Sequence, residues 1–519
     1  MSQMLKSSGA TAMATMVSRV LGLVREIVYA RFMAVGWIAD AFLFAFAIPN
    51  HFRRLLGEGA LTATFIPQFK QKEKTEGEAA MWHAANAVIS GLIVAASAIV
   101  LLGIIAISLV LWLVEIRDGG TLLMLKLLRI MLPYLLLVCF AAICMGMLNA
   151  RGHFFIPALG SALLNVVMIA SVFWIAPRMG AEKSQQVFGL AIGVLIAGLA
   201  QAAFQLPLLR REGFRYRWVT PWRNETVRQV VKQMVPGMIG VAAFQFNVLL
   251  ANSFAFVVGD GIVSSFTFAV RLMELPQGVF GISLATYLLP TLSGLAAEKK
   301  YPEFRTTLRD ATGYLIFINL LAALFLFILA EPMVRLLFEH GAFTAENTPS
   351  VATALMPLAP GLIAFSLVNI FARSFYALND VGTPMRISIF CLVLNALLTL
   401  PLVWFFKQAG MGTANTISGI CNLALLAFAL RKKLKTLEMS SLRKQLGALL
   451  AAGAAAAVMT WGTVHLWQRY IGHANLWQRL GEVFVPMILG TLLYFAVAFA
   501  FRIPFAHDFL SLIRKRLRL

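Results

Sequence analysis

Arginines 19, 25, 53, 54 and 271 stand inside stretches that are otherwise apolar enough to cross a bilayer. Near the centre of a membrane helix one uncompensated charge costs roughly 2.5–3.5 kcal/mol on insertion scales, so a charge that persists there faces protein, water or an ionic ligand. The acids sharing these stretches, read as Asp40, Glu58 and Glu274, are too few to neutralise Arg19, Arg25, Arg53 and Arg271 together. A surplus of guanidinium groups suits a diphosphate, which their planar forks grip bidentately. His51, Arg54 and Arg373 are weaker candidates for the same work, and Lys126 with Arg129 is explained as well by snorkelling to an interface.

Spacing constrains how these groups meet. Successive arginines at 19, 25 and 31 point about 120° apart on an ideal helix, so they form no single stripe. Gly22 offers a bend that would bring Arg19 and Arg25 toward a common space, while Arg31 is expected at the outer interface. The stretch "HFRRLLGEGA" (51–60) follows Pro49, and "RLMELPQGVFG" (271–281) carries Arg271 and Glu274 at i,i+3 just before Pro276 and Gly278. Proline and glycine so placed predict irregular backbone, which a membrane protein tolerates where the chain is buried or lines a cavity. A bland alternative makes Arg53 and Arg54 a helix end at the surface, and Arg271 with Glu274 an ion pair that only fixes packing.

The elements that must position these side chains are membrane helices. Of 519 residues, 60% are hydrophobic and 13% charged, and the mean hydropathy is +0.80, beyond what a soluble chain of this length carries. The first apolar stretch lacks a convincing cleavage site and is expected to be retained as a helix. Fourteen apolar runs begin near residues 5, 38, 81, 122, 156, 185, 230, 262, 311, 350, 384, 411, 445 and 479. With fourteen spans, the basic clusters at 70–74, 210–228, 299–309, 431–444 and 514–518 fall on one side, which the positive-inside rule makes cytoplasmic together with both termini. Most of the net charge of +21 is thereby accounted for. Nucleic-acid binding is disfavoured, because the basic loops are short and flank membrane helices. The tail "FLSLIRKRLRL" (509–519) reads as a topogenic signal or a contact with anionic headgroups.

The chain repeats itself weakly at a spacing of about 230. Asn149 and Asn165 match Asn379 and Asn395, and "ALTATFIPQF" (60–69) echoes "SLATYLLPTL" (283–292). A separation of six spans makes the repeats parallel, an arrangement familiar from secondary transporters. The expected fold is therefore all-α and polytopic. An N-terminal lobe of six helices covers 1–220, a second lobe of six covers 221–438, and two further helices with a basic tail cover 439–519. Those last two spans are rich in small residues, suited to close packing or to a groove that accommodates a lipid tail.

Other chemistries find little support. Cys139, Cys144, Cys391 and Cys421 lie in apolar segments at no metal-ligand spacing, so neither a disulfide framework nor a metal site is expected, nor any cofactor. No GxxxxGK[ST] stretch occurs. A cation antiporter should show acidic rather than basic membrane residues. A membrane glycosyltransferase would need metal-binding acids outside the membrane, and the longest basic loop, about 209–228, has no Asp pair. A noncatalytic scaffold would survive loss of Arg19 or Arg271.

The stretch "SRVLGLVREIVYARFM" (18–33), continued by "ADAFLFAFAIPNHFRRLLGEGALTATFIPQF" (39–69), resembles the opening of the MurJ (MviN-type) lipid II flippases. "RLMELPQGVFGISLATYLLPTLS" (271–293) and "LLFEHGAFT" (336–344) resemble further parts of that family, which belongs to the multidrug/oligosaccharidyl-lipid/polysaccharide exporter superfamily. The resemblance implies a secondary transporter of the bacterial inner membrane that moves an undecaprenyl-diphosphate-linked peptidoglycan precursor by alternating access. Another polyprenyl-diphosphate sugar, or a drug, is the alternative cargo. It also implies that Arg19, Arg25, Arg53 and Arg271 match the family's cavity arginines, that Asp40 matches a cavity acid, and that Glu58 belongs to a Gly-Glu-Gly-Ala motif. Membrane lipids are implied as partners, and association with the cell-wall synthesis machinery is compatible with it. Val270 stands where relatives often have Asp. Gln245, Asn247 and Asn252 provide no mid-span carboxylate, so the family's sodium site is not carried over.

Overall fold

The computed structural model describes residues 2–55 and 60–508. Among them every regular element is a helix. Glu58 and the basic tail 509–519 lie outside the described residues. The chain divides into two compact units, Met1–Ser264 and Ser265–Leu519.

In the N-terminal unit α1 (Ser2–Met33) packs along α7 (Phe155–Trp174), and α7 packs on α8 (Lys183–Arg211). Between α1 and α7 come α2 (Trp37–Arg53), α3 (Ala60–Glu76), α4 (Glu78–Leu113), α5 (Gly119–Met131) and α6 (Tyr134–Ala150). The unit continues through α9 (Glu225–Val258) into the first turn of α10 (Ile262–Pro276). Side-chain oxygens of Asp118 and Asn224 accept the orphan N–H groups at the starts of α5 and α9. Phe65, Phe69, Trp82, Cys139 and Cys144 meet in one buried apolar cluster, which accounts for two of the four cysteines as packing residues. Outside the apolar layer Arg151 draws helix ends together, its Nε 2.8 Å from Glu212 and its Nη1 2.5 Å from Glu73. The hydrogen bond from Arg151, with a second from His153, holds the Glu212 carboxyl below its ordinary pKa.

The C-terminal unit follows α10 with a wide π-helical stretch, Gln277–Ile282, and then α11 (Ser283–Ala297), α12 (Tyr301–Ile328) and α13 (Ala330–Phe338). After α14 (Thr348–Leu358) and α15 (Gly361–Ala377) comes α16 (Gly382–Leu434), broken at Lys407 where φ is 49° and ψ −126°. The break turns an apolar stretch far too long for one span into two. The final pair, α17 (Ser440–Tyr470) and α18 (Leu476–Ala500), pack on each other, and α17 also packs on α12.

Among the described residues eight helices are long and apolar enough to cross a membrane, or ten when two bent pairs are each counted as one span. All fourteen expected starting points fall within described helices, but several of these are short or hold too many charges to qualify by length and composition alone. The two bent pairs, α5 with α6 and α14 with α15, both kink by 44°. Each kink has proline at the N-cap of its second half, Pro133 and Pro360. The two prolines stand about 230 positions apart.

Candidate functional site

Arg25 is buried on α1 and engaged by its own unit through both terminal nitrogens, while its buried Nε has no hydrogen-bond partner among the described residues. Its Nη2 donates to Glu26 Oε1 at 2.6 Å, and its Nη1 donates to Asn165 Oδ1 at 3.0 Å. Asn165 is oriented in turn by donating Nδ2 to the carbonyls of Ser18 and Ser161, each at 3.2 Å. Gly22 faces Asn165 across this contact, where a Cβ would lie 3.8 Å from Asn165 Nδ2, an ordinary van der Waals distance. α1 runs through Gly22 without interruption. Arg19 and Arg31 are exposed whereas Arg25 is buried, so Arg19 and Arg25 are held differently. Glu26 is an acid that the sequence reading missed, although it adjoins Arg25.

Asp40 opens α2 and is 2% exposed. Its Oδ2 accepts the backbone N–H of Gly261 and its Oδ1 that of Ser264, both at 2.7 Å. These are orphan donors at the start of α10, so the carboxylate closes that helix end and meets the positive end of its dipole. Gly261, at φ +80°, leaves no room for a side chain, because a Cβ would fall 2.7 Å from Val35.

At the end of α2, Arg53 is half-buried and its Nε donates to Asn50 Oδ1 at 2.9 Å, while Arg54 is exposed. His51 Nδ1 hydrogen-bonds Gln245 Oε1 on α9, which ties the two helices together. In the C-terminal unit Arg271 Nη1 donates to Glu274 Oε2 at 2.7 Å, the i,i+3 pair expected from the spacing. The Arg271 side chain keeps 36% of its surface exposed. The pair sits immediately before the π stretch, so the backbone irregularity expected from Pro276 and Gly278 is present; such stretches concentrate at functional sites. Arg373 is half-buried on α15, and Lys126 and Arg129 are exposed on α5.

Along α17 and α18 the small residues divide between two tasks. Gly453 faces Leu320 and Leu324 of α12, and Gly490 admits Thr460, whose Oγ1 would lie 2.2 Å from a Cβ. On another side Ala454, Ala455, Val458, Gly462 and Leu493 line an apolar cleft of about 550 Å³. Where the pair approaches α13, a buried ionic group appears that was not anticipated. Arg335 Nη1 lies 2.6 Å from Glu482 Oε1, Gln468 Nε2 donates to the same oxygen at 2.8 Å, and Arg479 Nη2 lies 2.9 Å from Glu339. Glu482 is wholly buried. An acid within the apolar fourteenth run was the available signal, and an acid in a span is read by default as functional or paired.

The sequence matches a family model described as lipid II flippase MurJ over residues 29–480. A probable lipid II flippase MurJ of Vibrio cholerae serotype O1 is 33% identical over 436 residues, covering 82% of each chain. One from Bdellovibrio bacteriovorus is 32% identical over 505 residues, covering 96% of this chain and 94% of its own. The lipid II flippase MurJ of Burkholderia cenocepacia is 32% identical over 433 residues, 81% of this chain and 82% of its own. A solved lipid II flippase MurJ in an inward closed conformation superimposes with a TM-score of 0.77 at 23% identity, over 95% of this chain and 98% of its own. An inward-facing multidrug resistance transporter of the MATE family and MOP superfamily does so with a TM-score of 0.66 at 16% identity, over 83% of this chain and 99% of its own. These two likenesses concern the fold.

Proposed function

This chain belongs to the MurJ family of lipid II flippases, and on that premise we propose that it carries the undecaprenyl-diphosphate-linked peptidoglycan precursor across the bacterial inner membrane by alternating access. It acts as a transporter rather than an enzyme, with both termini in the cytoplasm. Two six-helix lobes, 1–220 and 221–438, move the headgroup, and the segment 439–519 attends to the tail. The diphosphate is held by Arg19, Arg53 and Arg271, joined by Arg25 when it exchanges Glu26 and Asn165 for the ligand.

The observation that carries this reading is how opposite charges are kept. Asp40 and Glu26 are consumed by protein donors in a buried setting, whereas Arg19, Arg53 and Arg271 retain accessible surface on apolar helices. A cation antiporter needs the reverse. The cleft lined by α17 and α18 is apolar and of a volume within the range of about 300–1,000 Å³ typical of ligand sites, as a prenyl chain requires.

The test is reconstitution of the full chain in vesicles with labelled lipid II, comparing it with Arg271→Ala and Arg271→Lys. A lost charge-assisted contact of roughly 1.5–3 kcal/mol lowers transport about 10- to 100-fold. Lysine restores little of it, because it supplies a point charge and no fork. Unchanged translocation in Arg271→Ala would rule out this assignment. Accumulation, after depletion in cells, of an undecaprenyl-linked intermediate other than lipid II would replace the cargo.

A further inference from the structure

A cleft of about 720 Å³ opens on the flank of the N-terminal unit, between α4, α6 and α8. Ile93, Leu136, Phe140 and Leu206 form its apolar walls, and none of them is fully buried. Arg210 lies one turn beyond Leu206, at the end of α8 where the apolar run stops, and Arg215 and Tyr216 line the cleft from the following loop. The result is an oily slot with two guanidinium groups at one end.

The loop is held in place by polar side chains of α4. Asn86 Nδ2 donates to the Arg215 carbonyl at 3.1 Å, and the Val219 N–H donates to Ser90 Oγ at 3.3 Å. Ser90 Oγ also lies 3.2 Å from the Tyr216 hydroxyl, and the Phe214 ring rests against Trp82 with centroids 5.6 Å apart. Asn86 and Ser90 are buried inside an otherwise apolar span, so these bonds fix where Arg215 and Tyr216 emerge. Tyr216, Trp218 and Trp222 are largely exposed, as aromatic side chains are at the boundary between hydrocarbon and water.

We propose that this cleft binds an anionic glycerophospholipid, its phosphate between Arg210 and Arg215 and one acyl chain along Ile93, Leu136, Phe140 and Leu206. Charge complementarity selects this occupant. The nearby acid, Glu212, is taken by Arg151 and His153, and among the described residues no carboxylate pairs with Arg210 or Arg215. A zwitterionic lipid would bring a cationic group beside the two guanidinium groups along with its phosphate, and a soluble phosphate would leave the apolar walls unused. The site is independent of the flippase reading, since none of the arginines assigned to the diphosphate takes part in it.

Native mass spectrometry of the full-length protein in detergent tests the proposal, with phosphatidylglycerol, phosphatidylcholine of the same acyl chains, glycerol 3-phosphate and undecaprenyl diphosphate as probes. The expected result is one phosphatidylglycerol retained well above phosphatidylcholine, and weakened roughly thirtyfold by R210Q/R215Q, about fivefold for each arginine. Arg217 and Arg223 share the loop without lining the cleft, so R217Q/R223Q leaves that retention unchanged. Equal retention of phosphatidylcholine or of glycerol 3-phosphate overturns the proposal, as does an equal loss in R217Q/R223Q. Displacement of phosphatidylglycerol by undecaprenyl diphosphate in the wild type but not in R210Q/R215Q also overturns it, because the cleft would then belong to the transported lipid.

Discussion

The carboxylate of Asp40 accepts the backbone N–H of Ser264 at 2.7 Å across 224 positions of sequence, and with the N–H of Gly261 it uses both of its oxygens on one helix start. Asp40→Asn retains an acceptor but aims an amide N–H₂ at one of those donors. We expect a loss of about 1–3 kcal/mol, seen as a lower unfolding temperature in detergent. Faster hydrogen exchange should appear at Gly261 and Ser264 specifically; unchanged exchange at both amides would refute the capping role.

Arg335 and Glu482 form a pair in which the acid is wholly buried. Removing only the arginine, as in Arg335→Met, strands a carboxylate and should cost about 3–5 kcal/mol. Replacing both partners, as in R335M/E482L, should recover most of that loss, since apolar side chains of similar volume need no partner. Thermal unfolding of wild type, both single variants and the double variant gives the coupling; additive losses would show that the pair is not the unit.

At the start of α16, outside the apolar spans, Asp380 accepts from Lys433 Nζ at 2.6 Å and from the Thr383 N–H at 3.0 Å. Chiefly through Lys433, these bonds hold its carboxyl at about 2. An unfolded aspartate titrates near 3.9, so the folded state binds its proton less readily. The stabilisation is therefore whole above about pH 4 and disappears as pH falls toward 2. Asp380→Asn should unfold more easily than wild type at neutral pH, with the gap closing across that acid window. A gap that widened on acidification would contradict the ion pair.

Gly462 lines the cleft along α17, and no atom lies within 4 Å of where its Cβ would be. Gly462→Leu is therefore expected to fold normally while occupying space that the prenyl chain needs. Excluding even two methylenes from apolar contact weakens binding about tenfold. Transport of the long-chain substrate should fall accordingly, and an analogue with a short prenyl chain should be spared. Equal transport of the long-chain substrate by the variant would remove the cleft from the mechanism.

Much of this protein is written in local pattern. Apolar runs begin where helices are found, Arg271 meets Glu274 because three residues bring side chains to one helix face, and Pro276 with Gly278 announces irregular backbone. Membership of the family was legible in the same way, from contiguous motifs at 18–69 and 271–293. What tertiary structure decided is which charges are already satisfied. Arg25 finds Asn165 at a separation of 140 positions, Asp40 finds Ser264 at 224, and Arg335 finds Glu482 at 147. Sequence sets which side chains share a helix face, because the helical repeat is fixed. Partners on different helices are chosen only when those helices pack, and in an apolar medium that choice separates a guanidinium group spent on structure from one left for a ligand.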